Sequence, residues 1–253
     1  MKKNYTLNAI RYTLTIGWLY PELMSTYGDR GNILVLTKRC EWRGIKADIK
    51  ILDIGYKEGE LRKCDLLFMG GAQDTQQSVV SKDFSKEKVN ALKNLIENET
   101  PGLYICGAYQ FLGKYYKEAN GNKIQGLGIF DLYTEHPGEN AERLIGNVLI
   151  DSTLGKLVGF ENHGGRTYLG SKIQPFGSVI KGYGNNGNDG SEGAIYKNSI
   201  GSYLHGPILP KNPKLADFLI KKALERKYKK EIELEELDDS LELKAHNFIA
   251  KRM

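Results

Sequence analysis

Apolar and polar positions follow two rhythms along the chain, and the change between them falls near residue 120. In the first part, strand-like and helix-like segments alternate. Thr13 to Tyr20 is a β-rich run that reads as a first strand, followed by a Gly-rich polar loop from Pro21 to Gly31. Ile33, Leu36 and Cys40 then recur at helical spacing, with Gly44 just past the expected end. Ala47 to Ile54 alternates apolar with charged residues, as an edge or half-buried strand does. Cys64 to Met69 is almost wholly apolar and stops at Gly70-Gly71, which suits a strand covered on both faces. Val89, Leu92 and Ile96 mark a further amphipathic helix, closed by Pro101-Gly102. Leu103 to Ile105 is the next strand, with Cys106 as its last residue, and Ala108 to Tyr116 reads as a helix.

From Gly121 to Gly206 glycines are frequent and apolar runs are short. Val148 to Ile150, Lys156 to Phe160, Ser178 to Ile180 and Ile195-Tyr196 read as antiparallel additions and ribbons. Asn185 to Gly190 reads as a turn or mobile loop. A last helix is expected from about Lys214 to Lys229, with Leu215, Leu219 and Ala223 on one face. The alternation in the first part predicts an α/β fold: a doubly wound, mostly parallel sheet flanked by helices, with added antiparallel strands in the second half. No repeat and no linker divides the chain. It is expected to form a single domain over 1–253, with a core of about 12–225 and a C-terminal helical extension over 226–253.

Composition narrows the class. In 253 residues, 40% are hydrophobic and 26% charged, with a formal net charge of +5. That is a globular balance. No apolar run reaches membrane-spanning length. Met1 to Thr6 is positively charged but lacks the apolar segment and cleavage site of a secretory signal. The three cysteines, Cys40, Cys64 and Cys106, are widely spaced and odd in number, which suits a reducing cytoplasm better than a disulfide framework. The four histidines show no zinc-like spacing, so no metal site is expected. Lys221 to Lys230 is basic and Glu231 to Glu242 acidic, which reads as a solvated helix pair rather than a nucleic-acid surface.

The chemistry concentrates at Cys106. A cysteine between a short apolar strand and a helix, followed by Gly107, has the placement of a nucleophile elbow. The helix N-terminus favours a thiolate, and its free N–H groups can stabilise an oxyanion. Cys40, on a helix's apolar face, and Cys64, opening a strand, read as packing residues. Gly71 ends an earlier strand on the same rim of a parallel sheet, where it can offer a second oxyanion N–H. A cysteine nucleophile needs a base within hydrogen-bond reach. Of His136, His163, His205 and His246, only His163 and His205 follow expected strands, and pattern alone leaves the choice open.

A family resemblance decides it. Tyr104-Ile105-Cys106-Gly107-Ala108-Tyr109-Gln110 resembles the nucleophile elbow of cobyric-acid-synthase-type, class I-like glutamine amidotransferases, whose motif runs close to C-G-G-Y-Q; Ala108 replaces the second glycine. Met69 to Asp74 resembles the family's oxyanion strand, and Ser202 to Pro207 its histidine strand. Three further stretches resemble the glutaminase subunits of lipid II isoglutaminyl synthases: Leu19-Tyr20-Pro21 with Tyr27 to Asn32, Gly159 to Thr167, and Gly206 to Pro213. The resemblance covers about residues 12–225. It implies a class I glutamine amidotransferase-like (flavodoxin-like) fold. It also implies that Cys106 forms a glutamyl thioester, that His205 activates it, that the N–H groups of Gly71 and Gly107 form the oxyanion hole, and that Arg143 binds glutamine. A planar guanidinium suits that last task because it pairs with a carboxylate at two points.

Many class I amidotransferases carry a glutamate two residues after the histidine. Here that position is Pro207. Two substitutes are expected for the orienting acid: Glu161 of this chain, or a carboxylate of a partner subunit, the favoured of the two. The chain shows no GxxxxGK[ST] phosphate loop. The resemblance therefore assigns acceptor activation, with its ATP and magnesium, to a Mur-ligase-like synthetase subunit, and no cofactor to this one. The pair would amidate D-glutamate of the lipid II stem peptide to D-isoglutamine in the cytoplasm. The same chemistry on a cobyrinate, a cysteine hydrolase or peptidase on this fold, and a silent α/β binding protein are the competing expectations.

Overall fold

The computed structural model describes residues 12–253. The reading of Met1 to Thr6 lies outside the described residues. In chain order the elements are β1 (Tyr12–Leu19), α1 (Arg30–Glu41), β2 (Ile45–Leu52), a single turn α2 (Glu58–Leu61), β3 (Leu66–Met69), α3 (Asp74–Asp83), α4 (Lys86–Glu97), β4 (Gly102–Ile105) and α5 (Gly107–Leu112). There follow β5 (Tyr115–Lys117), β6 (Lys123–Gln125), β7 (Leu132–Glu135), β8 (Leu144–Ser152), β9 (Gly155–His163), β10 (Arg166–Leu169), β11 (Gly177–Lys181), β12 (Ser191–Glu192), β13 (Ala194–Tyr196), β14 (Ser199–Ser202), α6 (Pro213–Tyr228) and α7 (Ser240–Lys251).

The main sheet has six strands in the order β13-β14-β4-β3-β1-β2. Five of them run parallel, and β13 closes one edge antiparallel. From the other edge the parallel strands follow the order of a flavodoxin-like doubly wound sheet, in which strand C-termini gather on one rim. Every residue of β3, β4 and β14 is buried, as strands covered on both faces require. Edge strand β2 instead mixes buried and exposed positions, as its alternating sequence predicts. Helix α4 is capped by the Ser85 hydroxyl, which accepts from the Lys88 N–H, and it buries Ala91, Leu92, Leu95 and Ile96. Leu215, Leu219 and Ala223 of α6 are fully buried, as their spacing predicts.

The second half supplies two smaller sheets, β10-β7-β5-β6 and β12-β11-β8-β9. Their pairings are antiparallel except for β5 with β7. The long β8–β9 hairpin stays in register from Leu144 opposite His163 to Ser152 opposite Gly155.

Three local expectations change, and a fourth settles on one of its two alternatives. Cys106 lies just beyond β4, in the turn itself. The helix expected over Ala108 to Tyr116 ends at Leu112, because Tyr116 pairs with both Ile124 and Thr134 in a sheet that local periodicity does not reveal. The acidic stretch is not the second half of a helix pair. Residues 231–239 run irregularly, with Ile232 buried, Arg43 Nε donating to the Glu235 carbonyl (2.7 Å) and Asp239 paired to the buried Arg39 (2.6 Å). Asn185 to Gly190 is a tied turn rather than a mobile loop: Asn185 Nδ2 donates to the Gly193 carbonyl (2.9 Å), and Asn186 Oδ1 accepts from the N–H groups of Asn188 and Asp189.

Candidate active site

The C-terminal ends of β1, β3, β4 and β14 lead into four segments that meet on one rim. Cys106 follows β4 with φ 51° and ψ −104°, a backbone conformation that a non-glycine residue rarely adopts. That strain turns the side chain out of the sheet at the N-terminus of α5, the geometry of an elbow. Gly107 makes the turn possible: a Cβ there would lie 2.9 Å from the Ala72 nitrogen and 3.0 Å from its carbonyl oxygen. The N–H of Gly107 opens α5 and has no acceptor within the helix. It is thus available above Cys106.

His205 is fixed by a backbone bridge to β9. Its N–H donates to the Phe160 carbonyl (2.7 Å), and its carbonyl accepts from the Phe160 N–H (3.2 Å). The imidazole is fully buried. A Cβ on Gly71 would lie 2.8 Å from His205 Cε1 and 3.4 Å from both Cys106 Cβ and Asp29 Oδ2, so these residues converge on one point. Nδ1 of His205 faces Asp29 Oδ1 at 3.3 Å, and Nε2 has no hydrogen-bond partner. Burial acts to lower the affinity of this imidazole for a proton. The charge of the Cys106 sulfur and the Asp29 carboxylate outweigh it and push the histidine up to about 10.

Asp29 is the acid the sequence reading did not find. It is fully buried, and its second oxygen accepts the Gly71 N–H at 2.7 Å. Two expectations change with it. Within this chain the carboxylate beside His205 is Asp29 and not Glu161. The Gly71 N–H, expected to face an oxyanion, is bound to Asp29. Sequence order could place Gly71 at the strand end but not orient its peptide. Glu161 is fully buried elsewhere: it accepts from the N–H groups of Tyr183 (2.7 Å) and Gly184 (2.9 Å), and Oε2 stands 3.5 Å from His163 Nε2. His163 stacks flat on Tyr203 at 3.6 Å, with Nδ1 on the Gly165 carbonyl, and burial depresses its proton affinity. It is a neutral wall residue.

Cys106 opens into a cavity of about 380 Å³. Tyr27, Gln110, Arg143, Asn162 and His163 help to line it. The volume suits a small amino acid. Arg143, just before β8, gives Nε to Asn162 Oδ1 (2.8 Å) and Nη2 to the Asn162 carbonyl (2.9 Å). One edge of the guanidinium is therefore held by protein while the end formed by Nη1 and Nη2 keeps hydrogens for a ligand. Gln110 links Gln77 to Tyr203, whose hydroxyl also meets Thr167 at 2.6 Å, so a continuous polar network runs from the cavity wall into the interior behind it. Cys40 and Cys64, in contrast, are buried, and burial pushes both thiols up to about 12. Only Cys106 combines a cavity with a neighbouring imidazole.

Among the described residues no group of His, Cys, Asp and Glu side chains could hold a metal ion, and no helix is long and apolar enough to cross a membrane.

The fold and this rim define a class: a flavodoxin-like sheet with a cysteine elbow is the frame of a glutamine amidotransferase. Residues 15–213 match the CobB/CobQ-like glutamine amidotransferase domain, and the chain belongs to that family. Over 95% of its length it is 44% identical to the lipid II isoglutaminyl synthase (glutamine-hydrolyzing) subunit GatD of Staphylococcus aureus (strain N315), covering 96% of that protein. It is 42% identical to the subunit of the same name from Streptococcus pneumoniae (strain ATCC BAA-255 / R6), over 91% of this chain and 88% of that one. Among solved structures, one glutamine amidotransferase superposes with a TM-score of 0.56 at 15% identity, covering 82% of this chain and 98% of the other. Another, from Thermotoga maritima, gives 0.52 at 15% identity, with 94% of each chain covered. These structural likenesses establish the shared fold alone.

Proposed function

We propose that this glutamine amidotransferase is the glutaminase subunit of a lipid II isoglutaminyl synthase. The observation that carries the reading is the convergence of Cys106 and His205 at Gly71, beside a cavity that also holds Arg143, in a chain similar to the Staphylococcus aureus subunit along almost its whole length. The α-carboxylate of L-glutamine pairs with the free end of Arg143. The Cys106 sulfur attacks the side-chain carbonyl carbon, and the Gly107 N–H receives the oxyanion. His205 gives a proton to the departing nitrogen, so ammonia leaves and a thioester remains. His205 then takes a proton from water, which hydrolyses the thioester to glutamate and restores the thiolate.

The ammonia serves a separate synthetase subunit of Mur-ligase type. That partner binds ATP and magnesium, activates the D-glutamate carboxyl of the lipid II stem peptide, and converts it to D-isoglutamine. This division follows from the missing phosphate loop in the chain and from the name of its relatives. Three widely spaced cysteines, odd in number, suit a reducing compartment, so we place the subunit in the cytoplasm.

The test is direct. The purified chain, alone and with its synthetase partner, is assayed for glutamate release and for amidation of lipid II with glutamine and ATP. Cys106→Ala is expected to abolish both with an unchanged melting curve. A glutamine-like electrophile should label Cys106 and spare Cys40 and Cys64, whose thiols stay protonated. Labelling at either buried cysteine, or full turnover in Cys106→Ala, refutes the assignment. Amidation of a cobyrinate but not of lipid II would move the chain to another acceptor.

A further inference from the structure

Arg143 and His205 stand on different segments, one before β8 and the other after β14, yet two side chains join them. Asn162, on β9, contributes both ends of its side-chain amide and its main-chain carbonyl to the join. Its Oδ1 and its main-chain carbonyl hold one edge of Arg143, at 2.8 and 2.9 Å. Its Nδ2 donates to the Tyr27 hydroxyl at 2.9 Å. The Tyr27 ring in turn meets the His205 imidazole edge to face, with centroids 5.0 Å apart and planes at 77°.

Tyr27 is placed at a cost. It sits at φ 55° and ψ 31°, a left-handed conformation unfavourable for a bulky side chain, and it remains 48% exposed at the cavity mouth. Burial does not explain its position. Its contacts do: one to the group that fixes Arg143, one to the imidazole. Two neighbours of the same loop, Thr26 and Asp29, are pinned to Gly71: Thr26 Oγ1 donates to the Gly71 carbonyl (2.8 Å), and Asp29 takes the Gly71 N–H. The loop thus touches the base, the oxyanion strand and, through Asn162, the guanidinium.

We propose that Asn162 and Tyr27 are positioning residues that couple occupancy of Arg143 to the alignment of His205, so that the cysteine is fully activated only by a ligand carrying an α-carboxylate. This rests on the glutaminase reading above. A carboxylate on the free end of Arg143 restrains the guanidinium. The restrained guanidinium fixes both acceptors of Asn162, and the Asn162 amide then holds the Tyr27 ring against the imidazole. With a simple amide the bridge rests on its own contacts alone and lacks the restraint that the carboxylate adds. The device therefore sets specificity as well as geometry.

The test is a double-mutant cycle on the full-length chain with two probes of Cys106. A chloromethyl ketone analogue of glutamine carries the α-carboxylate; iodoacetamide is small and lacks it. Tyr27→Phe keeps the ring but removes the hydroxyl. It is expected to slow labelling by the ketone about fivefold, the size of one neutral hydrogen bond, and to leave the rate and pH profile of iodoacetamide labelling unchanged. Asn162→Ala should do the same and raise the KM for glutamine. In the Arg143→Ala background, Tyr27→Phe should have no further effect, because the coupled group is already gone. Equal effects of Tyr27→Phe with and without Arg143, or equal slowing of both probes, would overturn the coupling and leave Tyr27 a structural residue. If the ketone fails to label Cys106 in the unaltered chain, the glutaminase reading falls, and the coupling with it.

Discussion

Asp29→Asn is the substitution that most directly examines the site. The side chain keeps its size, so the loop from Thr26 to Asp29 has no cavity to close. What it loses is the charge facing His205 Nδ1 at 3.3 Å. The magnitude follows from the histidine. Raising the imidazole from an ordinary 6.5 to about 10 corresponds to about 5 kcal/mol in favour of the protonated ring, net of burial. The Cys106 sulfur and Asp29 share that preference. The sulfur is the larger contributor, and the Asp29 contact is long for a charge-assisted hydrogen bond. Asp29 is thus expected to supply about 2 kcal/mol, near a 30-fold loss in turnover. That is milder than the ~10⁴-fold loss when a close, well-aligned triad aspartate becomes asparagine. Asparagine also offers an N–H toward Nδ1, which favours the wrong tautomer. The assay is glutamate release by the chain with its partner, paired with titration of the His205 ring by NMR. Turnover should fall, and the imidazole should lose its proton at lower pH than in the parent, with the melting temperature nearly unchanged. An Asp29→Asn chain with parental turnover and titration would refute the role argued here. Loss of activity on removing an acidic interface residue of the partner, with Asp29→Asn silent, would assign the orienting acid to the partner.

Two further outcomes are expected. Arg143→Lys should raise the KM for glutamine and recover little of the activity lost in Arg143→Ala, because an ammonium cannot hold Asn162 and a carboxylate as the planar guanidinium does; parental kinetics in Arg143→Ala would show that the cavity binds its ligand by other groups. Glu192 is fully buried, one oxygen accepting from the Ser202 hydroxyl (2.7 Å) and the Tyr203 N–H (2.8 Å) while the other has no partner, and burial raises it from 4.5 to about 7. The folded chain therefore keeps a proton that the unfolded chain releases, so this group's contribution is complete below the ordinary carboxylate range and is lost as pH rises toward 7, by at most about 3 kcal/mol. Glu192→Gln keeps the accepting oxygen and should gain stability relative to the parent between about pH 5 and pH 8 in urea unfolding, whereas a pH-independent difference would contradict the buried charge.

What the sequence determined by itself is local, or carried by continuous motifs. Short apolar runs that stop at glycine or at the Cys106-Gly107 turn specify β3 and β4, because strands covered on both faces need no alternation. The periodic apolar faces of α4 and α6 specify helices of nearly the expected extent. Cys106 followed by Gly107 at a strand-to-helix junction announces an elbow, since the turn admits no Cβ at the second position. These features are set by residues adjacent in the chain, so a sequence displays them.

The tertiary structure decided what depends on segments far apart. Asp29 belongs to a polar loop that looks like ordinary turn sequence. It becomes a buried acid only because that loop folds back over the rim and meets His205, 176 residues later. Glu161 looked suitable on a line, but the β8–β9 hairpin directs its carboxylate to the Tyr183 and Gly184 N–H groups. Tyr116, helical by its neighbours, was drawn into a sheet by partners on either side of it in space. The orientation of the Gly71 peptide has no sequence signal at all. It depends on which acceptor the fold brings near, and here that acceptor is Asp29, because a buried N–H that can no longer reach water must find one within the protein.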